Sequence, residues 1–166
     1  MSAFALGARL FASELDAALL AGLRAGPFAA HLALDAANPP PLHTELEDLA
    51  VEYCRLFVMP DAPCPPNVAA MRHEPMLGGR ASRELLVQLE VHGYESVAAI
   101  HGDHVASYLE LAAELPPEAR SAFLRPHRAW LRTYFLDVEE ATTVGLYRGA
   151  ARLVVALLED DADAPG

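Results

Sequence analysis

Cysteines, basic residues and long apolar runs are all scarce in this chain of 166 residues. Its two cysteines, Cys54 and Cys64, could form one bridge but not a disulfide framework, and we expect free thiols in a reducing compartment. Twelve basic residues against 23 acidic ones give a net charge of −11. Because phosphate backbones and anionic lipid surfaces are also negative, this charge argues against nucleic acid and membrane surfaces as partners.

No apolar run approaches the ~18–20 residues that a membrane-spanning helix needs. The longest run, Leu153–Leu158, is bracketed by Arg152 and Glu159. At the N-terminus no basic residue precedes the first apolar stretch, and charged residues soon interrupt it, so a signal peptide is not expected. We therefore predict a cytoplasmic protein without a membrane span, whose first residues belong to the mature fold.

Strand-like alternation is nearly absent, whereas apolar residues recur at spacings of three and four throughout the chain. This pattern predicts an all-α protein, and a chain of this length can bury ~70% of its unfolded surface in one core. We predict a single-domain multi-helix bundle over residues 1–158. The acidic residues 159–166 are expected to form a disordered tail.

Local signals divide the bundle into helices. An apolar stripe from Phe4 to Leu23 predicts one long helix, followed by a short helix over 27–36. Thr44-Glu45-Leu46-Glu47 has the form of a capping box and predicts the start of the next helix there. Five prolines predict that residues 59–80 form no long helix: Pro60, Pro63, Pro65, Pro66 and Pro75.

In the second half, Ser82 is the expected cap of a helix that stops at Gly93, and a short helix is predicted over 94–100. Asp103 is the expected N-cap of the helix that follows. The last helix is predicted from about Val138 to Leu158. It contains Gly145 and Gly149, which would weaken a helix unless they allow a close helix–helix crossing.

The sequence offers no recognisable catalytic residue, because it has neither a nucleophile elbow nor a phosphate-binding glycine loop. His101, Asp103 and His104 could contribute to a metal site, but further ligands would have to come from elsewhere. A helix cap at Asp103 explains the same residues, so we predict no metal, no cofactor and no enzyme. A metal-dependent helical enzyme and a generic helical protein-binding module remain the alternatives.

Four segments, in this order, carry a resemblance to a known family. Tyr53–Pro60 resembles a Tyr-x-x-Leu-Phe helix end before a proline-rich stretch, and Gly102–Val105 resembles a Pro-x-Asp-His-Leu motif. Phe123–Leu131 is similar to a Phe-Leu-x-x-His segment that leads to a Trp, and 135–158 to the closing helix. The family is the TorD/DmsD/NarJ group of redox-enzyme maturation chaperones. The chain departs from its fuller Glu-Pro-x-Asp-His motif with Ile100 and His101.

This resemblance implies an all-helical cytoplasmic chaperone with no catalysis of its own. Its implied partner is the catalytic subunit of a molybdenum-cofactor oxidoreductase, bound through the twin-arginine signal peptide or a neighbouring part. The chaperone would hold that subunit until the cofactor is inserted and export or assembly follows. Monomer and dimer both stay open, since family members include domain-swapped dimers.

A receptor for a twin-arginine signal needs an apolar groove with acidic groups near one end. We place this groove between the helix that starts near Asp103 and the irregular 59–80 segment. The predicted peptide-binding residues are Leu56, Phe57, Asp103, His104, Tyr108 and Glu110, with Val105, Leu109 and Glu114 nearby. In this hypothesis the carboxylate of Asp103 pairs with a client arginine.

Overall fold

The three-and-four spacing of apolar residues produces nine α-helices in the part of the chain that the structure describes. The structure is a computed structural model, and it describes residues 2–34, 37–74, 79–94 and 103–163. Within these ranges no strand occurs, and the predicted all-α class is confirmed. The helices are α1 (Ala3–Ala12), α2 (Ala17–Ala25), α3 (Leu42–Tyr53), α4 (Val68–Met71), α5 (Arg80–Val91), α6 (Val105–Glu114), α7 (Pro117–Leu124), α8 (Arg128–Ala141) and α9 (Gly145–Asp163). A π-helical turn, Cys54–Val58, continues α3 directly.

Helix α1 lies at the centre of the core, where it packs against α6 and α9, while α8 runs along α9. Leu6, Leu10 and Phe11 of α1 are buried almost completely. The Phe11 ring lies 5.9 Å from that of Phe57 and 4.9 Å from that of Phe135, measured between centroids. The first helix of the chain therefore joins the middle and the end of the sequence in one core.

The N-terminal stripe forms two helices, so the prediction of one long helix was wrong. Helix α1 ends at Ala12, and Asp16 caps α2, because its Oδ1 accepts a hydrogen bond of 2.7 Å from the backbone N–H of Leu19. A carboxylate at this position satisfies a free helix-end donor, which favours a new helix start over continuation. Leu15 stays buried between the two helices, which explains why the apolar stripe looked continuous.

The short helix predicted over 27–36 is also wrong, since the described residues 27–33 form turns. This turn segment is the element that lies against the two glycines of α9. A Cβ on Gly149 would overlap the backbone carbonyl of His31, and a Cβ on Gly145 would lie 3.0 Å from that of Ala33. The close approach that the glycines predicted is therefore present, but its partner is a turn and not a helix.

Neither Thr44 nor Ser82 caps the helix that the sequence assigned to it. Helix α3 begins at Leu42, after Pro41 and without a side-chain cap, so Thr44 and Glu47 both lie inside the helix. The helix start corrects the prediction of a capping box at Thr44, and Glu45 pairs with Arg24 of α2.

Helix α5 begins two residues before Ser82, which is buried. The carboxylate of Glu74 accepts hydrogen bonds from the backbone N–H groups of Arg80 (2.9 Å) and Ala81 (3.3 Å) and so takes the place of the predicted serine cap. The predicted stop is confirmed, since α5 ends at Val91 and Gly93 follows with φ +76°. The helix predicted over 94–100 falls on residues that, from 95 onward, lie outside the described part.

The last helix differs from its prediction at both ends. Val138 belongs to α8, and α9 runs from Gly145 to Asp163, so residues 159–163 are helical and not a disordered tail. The reason is Asp161, whose carboxylate pairs with Arg120 at 3.2 Å and with Arg128 at 2.8 Å. Residues 164–166 lie outside the described part.

Candidate functional site

Asp103 does not cap the helix that follows it, which corrects the sequence prediction. The N-cap of α6 is His104, whose Nδ1 accepts a hydrogen bond of 3.1 Å from the backbone N–H of Ala106. The carboxylate of Asp103 is completely buried and turns toward the start of α4. There its Oδ2 accepts a hydrogen bond of 2.9 Å from the backbone N–H of Ala69, and its Oδ1 accepts one of 3.3 Å from the side-chain amide of Asn67.

Backbone hydrogen bonds also connect these two parts of the chain, and together the contacts form a junction between the start of α4 and the start of α6. The N–H of Val68 donates to the carbonyl of Asp103 at 3.0 Å, and the N–H of Val105 donates to the carbonyl of Pro66 at 2.8 Å. These bonds form an isolated antiparallel bridge between Asn67 and His104. Asp103 and His104 thus connect the proline-rich segment to the start of α6. The Asp103 carboxylate is not exposed to solvent.

Tyr108 lies one turn into α6, inside a cluster of aromatic rings. Its ring makes edge contacts with His127 and Trp130 at centroid distances of 5.0 and 5.1 Å. Burial raises the pKa of Tyr108 to about 12, so the phenol stays protonated. Within the described part of the chain its buried hydroxyl has no hydrogen-bond partner.

His127 completes the cluster as a neutral imidazole. The indole N–H of Trp130 donates to its Nδ1 at 3.3 Å, and burial lowers the pKa of His127. A neutral ring keeps the lone pair that accepts this bond. The histidine and tryptophan of the third family-like segment thus meet Tyr108 in the core.

Most of the residues predicted to line the groove are buried. Leu56, Phe57 and Tyr108 are buried, as are Val105 and Leu109, all within the hydrophobic core. Of the six residues predicted to bind peptide, Glu110 is the exposed one; Asp103 and His104 are buried in the junction described above. A role for these six residues in peptide binding stays a prediction.

An open apolar surface lies on the exposed side of α3, and it was not predicted from the sequence. A depression of about 700 Å³ lies beside α3 and the π-helical turn and is lined by Ala50, Val51, Cys54, Arg55, Met59, Asp61 and Pro63. We call it the α3 depression. Val51 is 64% exposed and Met59 is 52% exposed. Val51 lies outside the buried stripe of α3, and an apolar residue off the stripe is the signal that could have indicated this surface.

Comparison with known protein families decides which family this fold represents. The sequence model of the nitrate reductase delta subunit family matches residues 11–137, which is most of the chain. The chain belongs to the nitrate reductase delta subunit family. This family is the NarJ/TorD type of chaperone, so the resemblance seen in the sequence is confirmed, and the protein is a redox-enzyme maturation chaperone and not a catalytic enzyme.

The nitrate reductase delta subunit fold is also seen in a solved structure. A proposed redox enzyme maturation protein from Archaeoglobus fulgidus superposes with a TM-score of 0.70 at 23% sequence identity, over 96% of this chain and 94% of that one. At this identity the likeness shows a shared fold. Comparison with curated protein sequences gives no significant match.

Candidate metal ligands are not brought together in the residues that this delta-subunit-type structure describes. No group of three His, Cys, Asp or Glu side chains there could hold a metal ion. Ile100 and His101, named above for their departure from the motif, lie outside the described residues.

Cys54 and Cys64 are both free thiols, as predicted. Within the same ranges, none of the helices has the length and apolar character required to cross a bilayer.

Proposed function

We propose that the chain is a cytoplasmic chaperone for the catalytic subunit of a molybdenum-cofactor oxidoreductase. It binds the twin-arginine signal peptide of that subunit, or its apo-form, and holds it until the cofactor is inserted and export or assembly follows. The observation that carries this proposal is membership of the NarJ/TorD-type maturation family over residues 11–137.

The charge and surface of the chain support the choice of client. A twin-arginine signal combines two positive charges with an apolar stretch. The chain carries a net charge of −11 and exposes apolar side chains at the α3 depression. Opposite charges increase the rate of encounter, and burial of exposed apolar surface stabilises the complex.

The affinity should be modest, because a holding chaperone must release its client. A micromolar dissociation constant, about −8 kcal/mol, meets this requirement. Isothermal titration with a synthetic twin-arginine peptide should show this affinity. A matched peptide with glutamine in place of both arginines should bind more weakly, and equal binding of both would contradict recognition of the arginine pair.

The biological client can be tested independently of any peptide. The gene for a molybdenum-cofactor oxidoreductase subunit should lie beside the gene for this chain. Deletion of the chaperone gene should lower the molybdenum content of that oxidoreductase. Unchanged cofactor content after deletion would contradict the proposed maturation role. Light scattering of the purified protein would show whether it acts as a monomer or a dimer.

A further inference from the structure

The α3 depression has two features of a binding surface, an open shape and exposed apolar side chains. It is open, and its exposed apolar side chains come from two successive elements, since Val51 belongs to α3 and Met59 follows the π-helical turn. Val58, beside Met59, is itself 60% exposed. Exposed apolar side chains that line one open depression can be buried together against a partner, and this burial stabilises a complex.

A distorted helix forms one wall of the depression. Helix α3 gives way to the π-helical turn at Cys54, and the backbone N–H of Met59 donates to the carbonyl of Cys54 at 3.0 Å. Such π-helical turns are rare and occur frequently at functional sites. Here the turn places Cys54, Arg55 and Met59 along the same depression.

The electrostatic character of the depression is negative. Arg55 is the single cation among the described residues that line it, and both its Nε and Nη2 donate to the carboxylate of Glu52, at 2.7 and 2.9 Å. The Arg55 charge is therefore already compensated. Asp61 is exposed in the lining, and the exposed carboxylate of Glu14 accepts a hydrogen bond of 3.4 Å from the thiol of Cys54.

We propose that the α3 depression is the docking site for a client segment that combines apolar side chains with arginine or lysine. The apolar side chains of the segment cover Val51 and Met59, and its basic group pairs with Asp61. Charge complementarity selects this occupant, because an acidic segment would bring like charge beside Asp61 and Glu14, and a purely apolar segment would cover Asp61 without pairing its charge. The inference rests on the proposed function for the identity of the client.

The test compares two valines of similar exposure. Val51 in the depression is 64% exposed, and Val91 on α5 is 69% exposed. Val51→Lys places a cation in the depression and should weaken binding of the synthetic twin-arginine peptide at least about tenfold, a change of 1.4 kcal/mol. Val91→Lys should bind that peptide as the wild type does. Both variants should unfold at the wild-type temperature, because neither valine is buried.

A second pair tests the charge. Asp61→Asn should weaken the binding of the twin-arginine peptide and reduce its dependence on salt, whereas Glu90→Gln, an exposed residue on α5, should change neither. The glutamine-substituted peptide should not distinguish Asp61→Asn from the wild type.

The outcomes separate this inference from the proposed function. Wild-type binding that Val51→Lys leaves unchanged would overturn the docking site and leave the function standing. Equal weakening by Val51→Lys and Val91→Lys would also overturn it, since the effect would then come from overall charge. If wild-type protein binds no such peptide, the docking site is overturned, and the gene-deletion test still decides whether the chain matures a molybdenum enzyme.

Discussion

Asp103 contacts the start of α4 and does not cap the helix that follows it. Its carboxylate is buried. It accepts hydrogen bonds from the side-chain amide of Asn67, which precedes α4, and from the backbone N–H of Ala69, which lies within α4. Loss of a buried acceptor leaves its donors unsatisfied, which costs more than the bond itself contributes. The residue therefore links the proline-rich segment to α6 through a few specific bonds.

Replacement of Asp103 should destabilise the protein in a graded way. We expect Asp103→Ala to lower the free energy of unfolding by about 1–3 kcal/mol, because the buried N–H of Ala69 loses its acceptor. Asp103→Asn keeps one carbonyl oxygen for that N–H and should cost less. Urea unfolding measures both changes.

Client binding distinguishes this structural role from direct contact with a client arginine. If Asp103 acts only through the junction, Asp103→Asn should reduce peptide binding no more than its loss of stability explains. An Asn variant of wild-type stability that no longer binds would show that the carboxylate contacts the client.

Glu52 is a second buried carboxylate, and its surroundings predict a dependence of stability on pH. The side-chain hydrogen bonds from Arg55, together with those from the backbone of Thr143 and the hydroxyl of Thr142, lower the pKa of Glu52 from 4.5 to about 2 despite its burial. Because the folded pKa is the lower one, the ionised carboxylate stabilises the fold above pH 4.5. This contribution, about 1–3 kcal/mol, is lost as the pH falls from about 4.5 toward 2.

The variant Glu52→Gln isolates this contribution from those of the other carboxylates. The difference in free energy of unfolding between wild type and Glu52→Gln should be constant above about pH 5 and should shrink as the pH falls toward 2. A difference that grows on acidification would show that the pKa of Glu52 is raised instead. Denaturant unfolding at a series of pH values provides the measurement.

Two ion pairs made by Asp161 hold the end of helix α9, and the adjacent Asp160 provides a control for them. The side chain of Asp161 is 5% exposed and contacts Arg120 and Arg128, whereas Asp160 is exposed and has no ion pair in the described residues. Asp161→Asn should lower the free energy of unfolding by about 1–3 kcal/mol, since hydrogen bonds to charged groups are lost. Asp160→Asn should be near neutral, and equal effects of the two variants would argue against the ion pair.

Helices with strong apolar stripes were predictable, and their ends often were not. The core residues of α6, α8 and α9 follow from spacing alone, whereas the boundaries depend on which polar group reaches a free helix end. Asp16 interrupts the first stripe by a local cap, which the sequence could have shown. Glu74 and Asp103 cap α5 and α4 from outside those helices, and such contacts depend on the tertiary fold.

Less of the candidate site than of the helices could be predicted from the sequence. The family was identified correctly from its motifs. The structure places Leu56, Phe57 and Tyr108 in the core, and their role in peptide binding stays a prediction. Periodicity cannot separate a buried stripe from a ligand-binding one, because both are apolar. The more informative residues were the apolar ones off the stripe, such as Val51.

A single hydrophobic core contains side chains from nearly the whole sequence, from Phe4 in α1 to Leu158 in α9. Because the first and last helices share this core, the described helices should unfold together. Trp130, the single tryptophan of the chain, should report the same thermal transition by fluorescence as the helical signal does by circular dichroism. Two separate transitions would show that part of the bundle unfolds independently.

The unequal burial of the two cysteines gives the native chain a natural attachment point for a reporter dye. Cys64 is 2% exposed and burial raises the pKa of its thiol to about 11, whereas Cys54 is partly exposed beside the α3 depression. A maleimide dye should therefore label the folded protein at Cys54, slowly near neutral pH, because burial and the contact with Glu14 raise the pKa of that thiol as well. A change in the emission of that dye would then report occupancy of the depression without an engineered cysteine.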